Sequence, residues 1–313
     1  MSDLSAAAGP ARRPEAARHI VDVLIEERAP RLSRGGAWPL VRPPLYGILN
    51  YRKAVEMADA IAPLPGGAAL DHVSDLLRLQ VQTYGAGRLP REGAFIVLAN
   101  HPTGITDGVA VYDALKPLRP DAMFYANSDA HRVCPRFDDV LIPVEWVLAK
   151  RTRERTRTTL KMTGEAFAAG RPLVVFPAGR LARVRDDGRL TDPEWMPSAF
   201  SLARKYRLPI VPCHVTGPYA FWFHLFDKVS RELRDITLFH ELLNKQGNLY
   251  RLTFGPPIAG DDLDADAAIL TRKIKHYVER VLPAAPDAAF DPSGPECAWR
   301  DAPDQTFTQG DRA

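Results

Sequence analysis

The sequence predicts an α/β fold, a mixed, largely parallel sheet covered by helices, and three observations carry that expectation. Apolar runs of strand length recur through the middle of the chain, at 94–99, 124–125, 140–144, 173–176 and 210–215. Helical patterns lie between several of them, which is the alternation of an α/β domain. The run Ala94-Phe95-Ile96-Val97-Leu98-Ala99 is apolar at every position and carries two β-branched residues, as a strand buried on both faces requires.

The remaining composition sets bounds. A chain of 313 residues holds one such domain of about 200 to 250 residues with flanks. Apolar residues at 46% and charged residues at 25% are ordinary for a soluble-type globular protein. A net charge of +3 is too small to argue for nucleic acid, and none is expected as a partner. Cys134, Cys213 and Cys297 are scattered and lack metal-ligand spacing. Neither a disulfide framework nor a metal site is expected, and the compartment is read as reducing, hence cytoplasmic.

Taken in order, residues 1–15 are rich in Ala, Pro and Arg and lead into no apolar core of signal-peptide type, so they are expected to be disordered. Ala17 to Arg28 sets Ile20, Val21, Leu24 and Ile25 against charged residues, an amphipathic helix ended by Pro30. A second helix is expected after Pro43-Pro44, with Leu45, Ile48, Leu49 and Val55 apolar and Arg42, Arg52 and Lys53 flanked by aromatic residues. Basic and aromatic helices of this kind lie in bilayer interfaces, or else pack on a domain; residues 16–70 are assigned to such a helical segment. No run reaches the roughly 18 to 20 apolar residues of a transmembrane helix.

The α/β domain is assigned to residues 71–282. A short helix at His72–Leu79 and a strand at Gln80–Tyr84 precede turn residues from Gly85 to Gly93, which lead into the 94–99 strand. A helix is expected from Gly108, capped by Asp107 and stopped by Pro117. Lys150 to Arg157 holds five cationic residues and one acidic one, either a solvated first turn or a meeting place for phosphates, an acidic protein or an anionic lipid surface. Tyr219, Trp222, Phe223 and Phe226 share one helical face, with Phe221, Leu225 and Val229 beside it; ordinary core is the first reading, a wall of an apolar groove or an interfacial foot the second. His214 and His224 are expected to be structural. An amphipathic helix closes the domain within 261–282, and the Ala-, Pro- and Asp-rich residues 283–313 are expected to be a disordered tail.

The chemistry concentrates in Asn100-His101-Pro102-Thr103-Gly104-Ile105-Thr106-Asp107-Gly108. His101 leaves the carboxyl end of a strand, the edge at which open α/β sheets bind ligands. Five residues separate it from Asp107, and Gly104 permits the tight turn across which the two can meet. An imidazole with an ordinary pKa of about 6.5 can take a proton from a hydroxyl, and a carboxylate on its other nitrogen fixes the tautomer and stabilises the cation. No Ser, Cys or Thr lies in a nucleophile-elbow context, which leaves a substrate hydroxyl as the attacking group. The bland alternative is that His101 merely ends a strand and Asp107 merely caps a helix.

The stretch resembles the His-Asp motif of the glycerophospholipid acyltransferases, written Asn-His-x4-Asp and typified by lysophosphatidic acid acyltransferase. One extra residue between His and Asp makes it more similar to the hemolysin-like, or lyso-ornithine-lipid, subgroup. Phe176-Pro177-Ala178-Gly179-Arg180-Leu181 resembles the family's Phe-Pro-Glu-Gly-Thr-Arg, again in the Phe-Pro-Ala-Gly form of that subgroup. Arg234 through Asn244-Lys245 to Phe254-Gly255-Pro256-Pro257-Ile258 is similar to the subgroup's closing helix and strand. The likeness spans about residues 75 to 282.

The resemblance implies a peripheral enzyme of lipid metabolism that moves an acyl group from acyl-CoA or acyl carrier protein to a lyso-lipid hydroxyl without metal or cofactor. His101 would be the base and Asp107 its orienter. Asn100, Thr103 and Gly104 would bind substrate together with Phe176, Pro177, Gly179, Arg180 and Arg183, the 176–179 turn offering backbone N–H groups to a phosphate or an oxyanion. The family's Glu is Ala178 here, its Arg position is Leu181, and Ile142-Pro143-Val144-Glu145 stands where a further Arg is common. That departure argues against lysophosphatidic acid and for another headgroup, such as that of lyso-ornithine lipid. A hydrolase using the same base on water, and a silent lipid-binding protein that kept the fold, are the alternatives.

Overall fold

The computed structural model describes residues 18–145, 152–185, 187–260 and 266–296. The tail expected at 1–15, the first two residues of the cationic 150–157 stretch and the end of the carboxyl-terminal tail lie outside the described residues.

The amino-terminal layer is helical. α1 (Ile20–Arg28) and α2 (Pro30–Arg34) meet at Ala29, with Pro30 in the first turn, where a missing N–H costs nothing. α3 (Trp38–Ile48), α4 (Tyr51–Ile61) and α5 (Gly66–Leu77) follow, so the boundary expected at residue 70 falls inside a helix. The second helix was expected to begin after Pro43-Pro44; it begins at Trp38 and contains both prolines. Residues 39–44 are exposed, so the carbonyls that the prolines leave unpaired reach solvent, while Trp38, Leu45 and Tyr46 are buried.

The sheet is formed by β1 (Gln80–Tyr84), β2 (Ile96–Ala99), β3 (Met123–Asn127), β4 (Leu141–Val144) and β5 (Leu173–Val175), then β8 (Ile210–Thr216) and β9 (Leu249–Phe254), in the order β1-β9-β8-β2-β5-β3-β4. A two-residue hairpin of β6 (Arg183–Val184) and β7 (Leu190–Thr191) stands apart. The five strands β8, β2, β5, β3 and β4 are mutually parallel, whereas β9 is antiparallel to β8 and parallel to β1. The strand expectations are therefore met, as a mixed, largely parallel sheet.

Alternation along β2 builds two cores. Ile96 and Leu98, with Leu173, Val175 and Ile210, join Phe200 of α9 (Ser198–Tyr206) and Ile274 of α13 (Ala267–His276) on one face. Val97 and Ala99, with Val174 and Val211, join Leu77, Val111 and Leu115 under α5 and α6 (Ile105–Leu115) on the other. Both faces of the central strands are thus dry, which is why their sequences do not alternate.

The remaining helices are α7 (Ala130–Val133), α8 (Arg153–Ala168), α10 (Phe221–Asp227), α11 (Arg231–Asp235) and α12 (Leu238–Leu243). A π-helical turn, Tyr277–Val281, continues α13. The residues after 283, expected to be a disordered tail, pack on the domain as far as they are described. Asp287 accepts from Tyr84 and Arg88, and Ala288 O accepts from Tyr277 Oη at 2.6 Å. Phe290 meets the Tyr277 ring edge-on, which gives this stretch an apolar anchor its composition did not advertise.

Candidate active site

β2 ends at Ala99, and Asn100 then replaces the ladder with its side chain. Its Oδ1 accepts from Val215 N at 2.6 Å and its Nδ2 donates to Val215 O at 3.0 Å. Asn100 was assigned to substrate binding; buried, with both amide atoms engaged by β8, it joins two strand ends instead.

The chain turns at Gly104, where φ is +98° and ψ is −144°, a conformation open to glycine. A Cβ there would also lie 3.3 Å from the Leu181 side chain. α6 begins at Ile105, so Asp107 is not the N-cap expected of it. It sits in the first turn and reaches back: Asp107 Oδ2 accepts from His101 Nδ1 at 2.9 Å, Thr103 N at 2.9 Å and Gly104 N at 3.0 Å, while Oδ1 accepts from Thr103 Oγ1 at 2.6 Å. Four donors and the positive end of a helix make burial of this carboxylate tolerable, each charge-assisted bond contributing about 1.5–3 kcal/mol. Thr103 Oγ1 also meets Tyr250 Oη at 2.8 Å, and Gly217 lies so close to Tyr250 and Thr103 that no Cβ fits there.

A carboxylate on Nδ1 makes that nitrogen the proton carrier and leaves Nε2 of neutral His101 as the acceptor. The His101 side chain retains 16% exposure, against 0% for Asp107, so the ring opens outward from a dry support. Phe176 covers one face of the imidazole with ring centroids 4.6 Å apart. The main chain of His101 is held as well: its N–H donates to Asp192 Oδ1 at 3.0 Å and Oδ2 at 3.1 Å, and its carbonyl accepts from Ala182 N at 2.9 Å. Asp192 also accepts from Trp195 Nε1, and its own N–H donates to Glu279, which pairs with Lys275.

The 176–179 turn is placed beside His101 as expected, but its backbone is less available than expected. Gly179 N donates to Phe176 O at 3.0 Å, Pro177 has no N–H, and Pro177 O accepts from Met196 N. The Gly179 N–H therefore closes the turn and does not face a ligand. Arg180 is exposed at the turn's exit. Arg183 reaches Asp227 at 2.5 Å over the Phe223 ring, and Arg234 reaches the same carboxylate at 2.8 Å. Burial would raise the Asp227 carboxyl, yet the two guanidiniums outweigh it and hold it below the usual range.

Other groups frame the site. Thr152 caps α8, whose exposed first turns carry Arg153, Arg155 and Arg157, with Arg155 paired to Glu145 at 3.2 Å. Because β4, β3, β5 and β2 are parallel, α8 starts on the same sheet edge as His101. Of the aromatic stretch read first as core, Phe223 is buried, but Tyr219, Phe221, Leu225 and Val229 are exposed. α10 is too short to bury a face all round. Glu241 anchors it to α6, accepting from Phe223 N through its side chain and from Thr106 Oγ1 through its carbonyl. His214 is half-buried and bonded to Val278 O, and His224 is buried and stacked on Tyr219; burial depresses both, His224 to about 4.

Asp192, Trp195, Glu279 and Tyr250 escaped the sequence reading. Asp192 stands before Pro193, where it signals only a turn, and Tyr250 occupies an ordinary strand position. Among the described residues no helix is long and apolar enough to cross a membrane.

With this geometry in place, comparison with known proteins is informative. The acyltransferase family model matches residues 80–216, the interval that holds His101, Asp107 and the 176–179 turn. The chain is similar to a lyso-glycine lipid O-acyltransferase of Phocaeicola vulgatus, 26% identical over 205 residues, 62% of this chain and 70% of that protein. It is similar to another of Bacteroides thetaiotaomicron, 24% identical over 201 residues, 62% of this chain and 72% of that protein. Among solved structures, the 1-acyl-sn-glycerophosphate (LPA) acyltransferase PlsC from Thermotoga maritima is similar at 16% identity and a TM-score of 0.44, over 69% of this chain and 79% of that one.

Proposed function

We propose that this chain, which belongs to the glycerophospholipid acyltransferase family, transfers a fatty acyl group from an acyl thioester to the hydroxyl of a lyso-lipid, with His101 as general base. The observation that carries the proposal is the 2.9 Å bond between His101 Nδ1 and buried Asp107, which leaves Nε2 facing outward at the carboxyl edge of the sheet. Nε2 takes the proton of the acceptor hydroxyl as its oxygen attacks the thioester carbonyl. The tetrahedral intermediate collapses, the C–S bond breaks, and the imidazolium returns the proton to the leaving thiolate. Asp107 stabilises the imidazolium between these steps, and Phe176 holds the ring plane.

The acceptor is assigned to lyso-lipids with an amino-acid headgroup, of the lyso-ornithine or lyso-glycine type. The names of the similar proteins favour that class, as do Ala178 and Leu181 in place of charged residues. The donor is acyl-CoA or acyl carrier protein, its anionic end directed to Arg153, Arg155 and Arg157 on the same sheet edge. We read the enzyme as peripheral on the cytoplasmic membrane face. Leu40 and Ile48 of α3 and Phe221 and Leu225 of α10 are exposed, and His240 joins their neighbourhoods by touching both Asn50 and Trp222.

Incubation with labelled acyl thioester and a panel of lyso-lipids tests the reading. Diacylated lipid supports it, free fatty acid alone makes the protein a hydrolase, and vesicle binding with neither product makes it a binding module. His101→Ala should cost about 10²–10⁴-fold in transfer with an unchanged circular dichroism spectrum.

A further inference from the structure

The main chain of the base is clamped from one direction by a single hairpin. β6 is preceded by Ala182, whose N–H reaches His101 O at 2.9 Å, and β7 is followed by Asp192, whose carboxylate receives His101 N–H at 3.0 and 3.1 Å. Asp192 is 1% exposed and is fixed in turn by the Trp195 indole at 2.9 Å. Its own amide donates to Glu279 Oε1 at 2.7 Å, and Lys275 meets the other Glu279 oxygen at 3.2 Å. Asp107 thus orients the ring of His101 while Asp192 fixes the peptide from which the ring projects.

We infer that Asp192 is a positioning residue of the transfer reaction, a buried anion that locks the His101 backbone and favours the imidazolium formed when the hydroxyl proton is taken. A carboxylate in a dry site carries a desolvation cost that a neutral bracket would avoid, and its field reaches the imidazole of the residue it holds. The charged groups around it are Glu279 and Lys275 behind, Arg280 on Thr191 beside it, and His101 in front. Burial first, and Glu279 second, raise the Asp192 carboxyl above its ordinary range, so its charge develops fully on the alkaline side, where the neutral base is also populated.

The inference rests on His101 being the base, so His101→Ala is measured alongside. Asp192→Asn keeps an acceptor for the amide and removes the charge. Turnover number should fall at least about tenfold with KM for both substrates within about twofold. The acid limb of the kcat/KM profile should move to lower pH by about 0.5 or more, because an imidazolium without its anion releases its proton more readily. A bracket without an electrostatic part would lower the active fraction and leave that limb in place, which overturns the inference. If Asp192→Asn does not accumulate as folded protein, Glu279→Gln removes the charge that raises the Asp192 carboxyl while leaving the contacts of Asp192 with His101; Asp192 then stays ionised further into acid, the acid limb should move to higher pH, and an unmoved limb overturns the inference. Loss in His101→Ala with no effect at either position fails this inference alone. Activity surviving in His101→Ala fails the underlying reading.

Discussion

Replacing Asp107 by Asn separates charge from geometry at the turn that joins it to His101. Three N–H donors converge on Asp107 Oδ2, so the amide oxygen of the introduced side chain must occupy that place. Its NH2 group then faces Thr103 Oγ1, which can accept from it and turn its own proton to Tyr250 Oη. The three N–H donors on Oδ2 keep an acceptor, and His101 keeps its Nδ1–H tautomer. What disappears is the negative charge beside the imidazolium. At about 4 Å and an effective dielectric of about 20 that charge is worth up to about 4 kcal/mol, and roughly half of that where the ring opens to solvent. The expected loss in kcat is therefore about 30- to 1000-fold, smaller than for His101→Ala, with little change in KM. Stopped-flow or steady-state release of thiol from the acyl donor measures it, with thermal denaturation as the control. An Asp107→Asn variant within about threefold of wild-type turnover would refute the reasoning and reduce Asp107 to a device for ending a turn.

Four further outcomes are expected. Gly104→Ala forces a side chain into a conformation that costs about 1–3 kcal/mol and presses on Leu181, so Tm should fall by several degrees and turnover with it; an unshifted Tm in differential scanning calorimetry contradicts this. In competition between equal amounts of lysophosphatidic acid and an amino-acid lyso-lipid, product should form mainly from the latter; preference for the phosphate monoester by about tenfold would mean that Arg180, Arg183 or the α8 arginines replace the missing motif charge. Phe221→Ser with Leu225→Ser should reduce sedimentation with vesicles at least about tenfold, since each apolar side chain withdrawn from an interface is worth up to about 1.5–3 kcal/mol; unchanged binding would place the membrane contact elsewhere. Relative to a His224→Gln variant, stability should fall as pH drops from about 6.5 towards 4: the unfolded histidine takes its proton from about 6.5 downward, whereas burial depresses His224 to about 4 in the native state, so the unfolded chain gains the proton first. A wild-type Tm that rises relative to that of the variant through that window would contradict the assignment.

The meeting of His101 with Asp107 was legible because both lie within one turn of chain, next to a strand whose unbroken apolar run announces double-sided burial. The 176–179 turn was legible as a neighbour, since a buried three-residue strand precedes it. The supports of the site were not. Asp192 comes from 91 residues away and Tyr250 bonds Thr103 across 147, distances over which no local pattern operates. Asn100 misled because an amide beside a catalytic residue reads as a ligand, and only the sheet order reveals that Val215 has claimed both its atoms. Pro43-Pro44 misled because prolines break helices when the freed carbonyls are buried, and here they face water. The exposure of Phe221 and Leu225 was hidden by the same limit: helical spacing gives a face, not what covers it.

The reversal of direction between β8 and β9 has a bearing on how such an enzyme can change. The two strands are antiparallel partners, paired Thr216 with Arg251 down to Cys213 with Phe254, so the chain leaves and re-enters the sheet at adjacent points on the catalytic edge. Everything between them, α10 through α12, is an insert hung from two fixed posts, with Gly217 at one and Asn248 at the other. Loop closure grows costlier only slowly with length, so a segment mounted in this way can be lengthened, shortened or exchanged while the ladder beneath it stays paired. His101 and Asp107 stand outside the insert, and the exposed apolar side chains of Phe221, Leu225 and Val229 lie within it. Grafting residues 217–248 from a relative of different acceptor preference is therefore a practical route to a hybrid that retains its chemistry and alters its substrate.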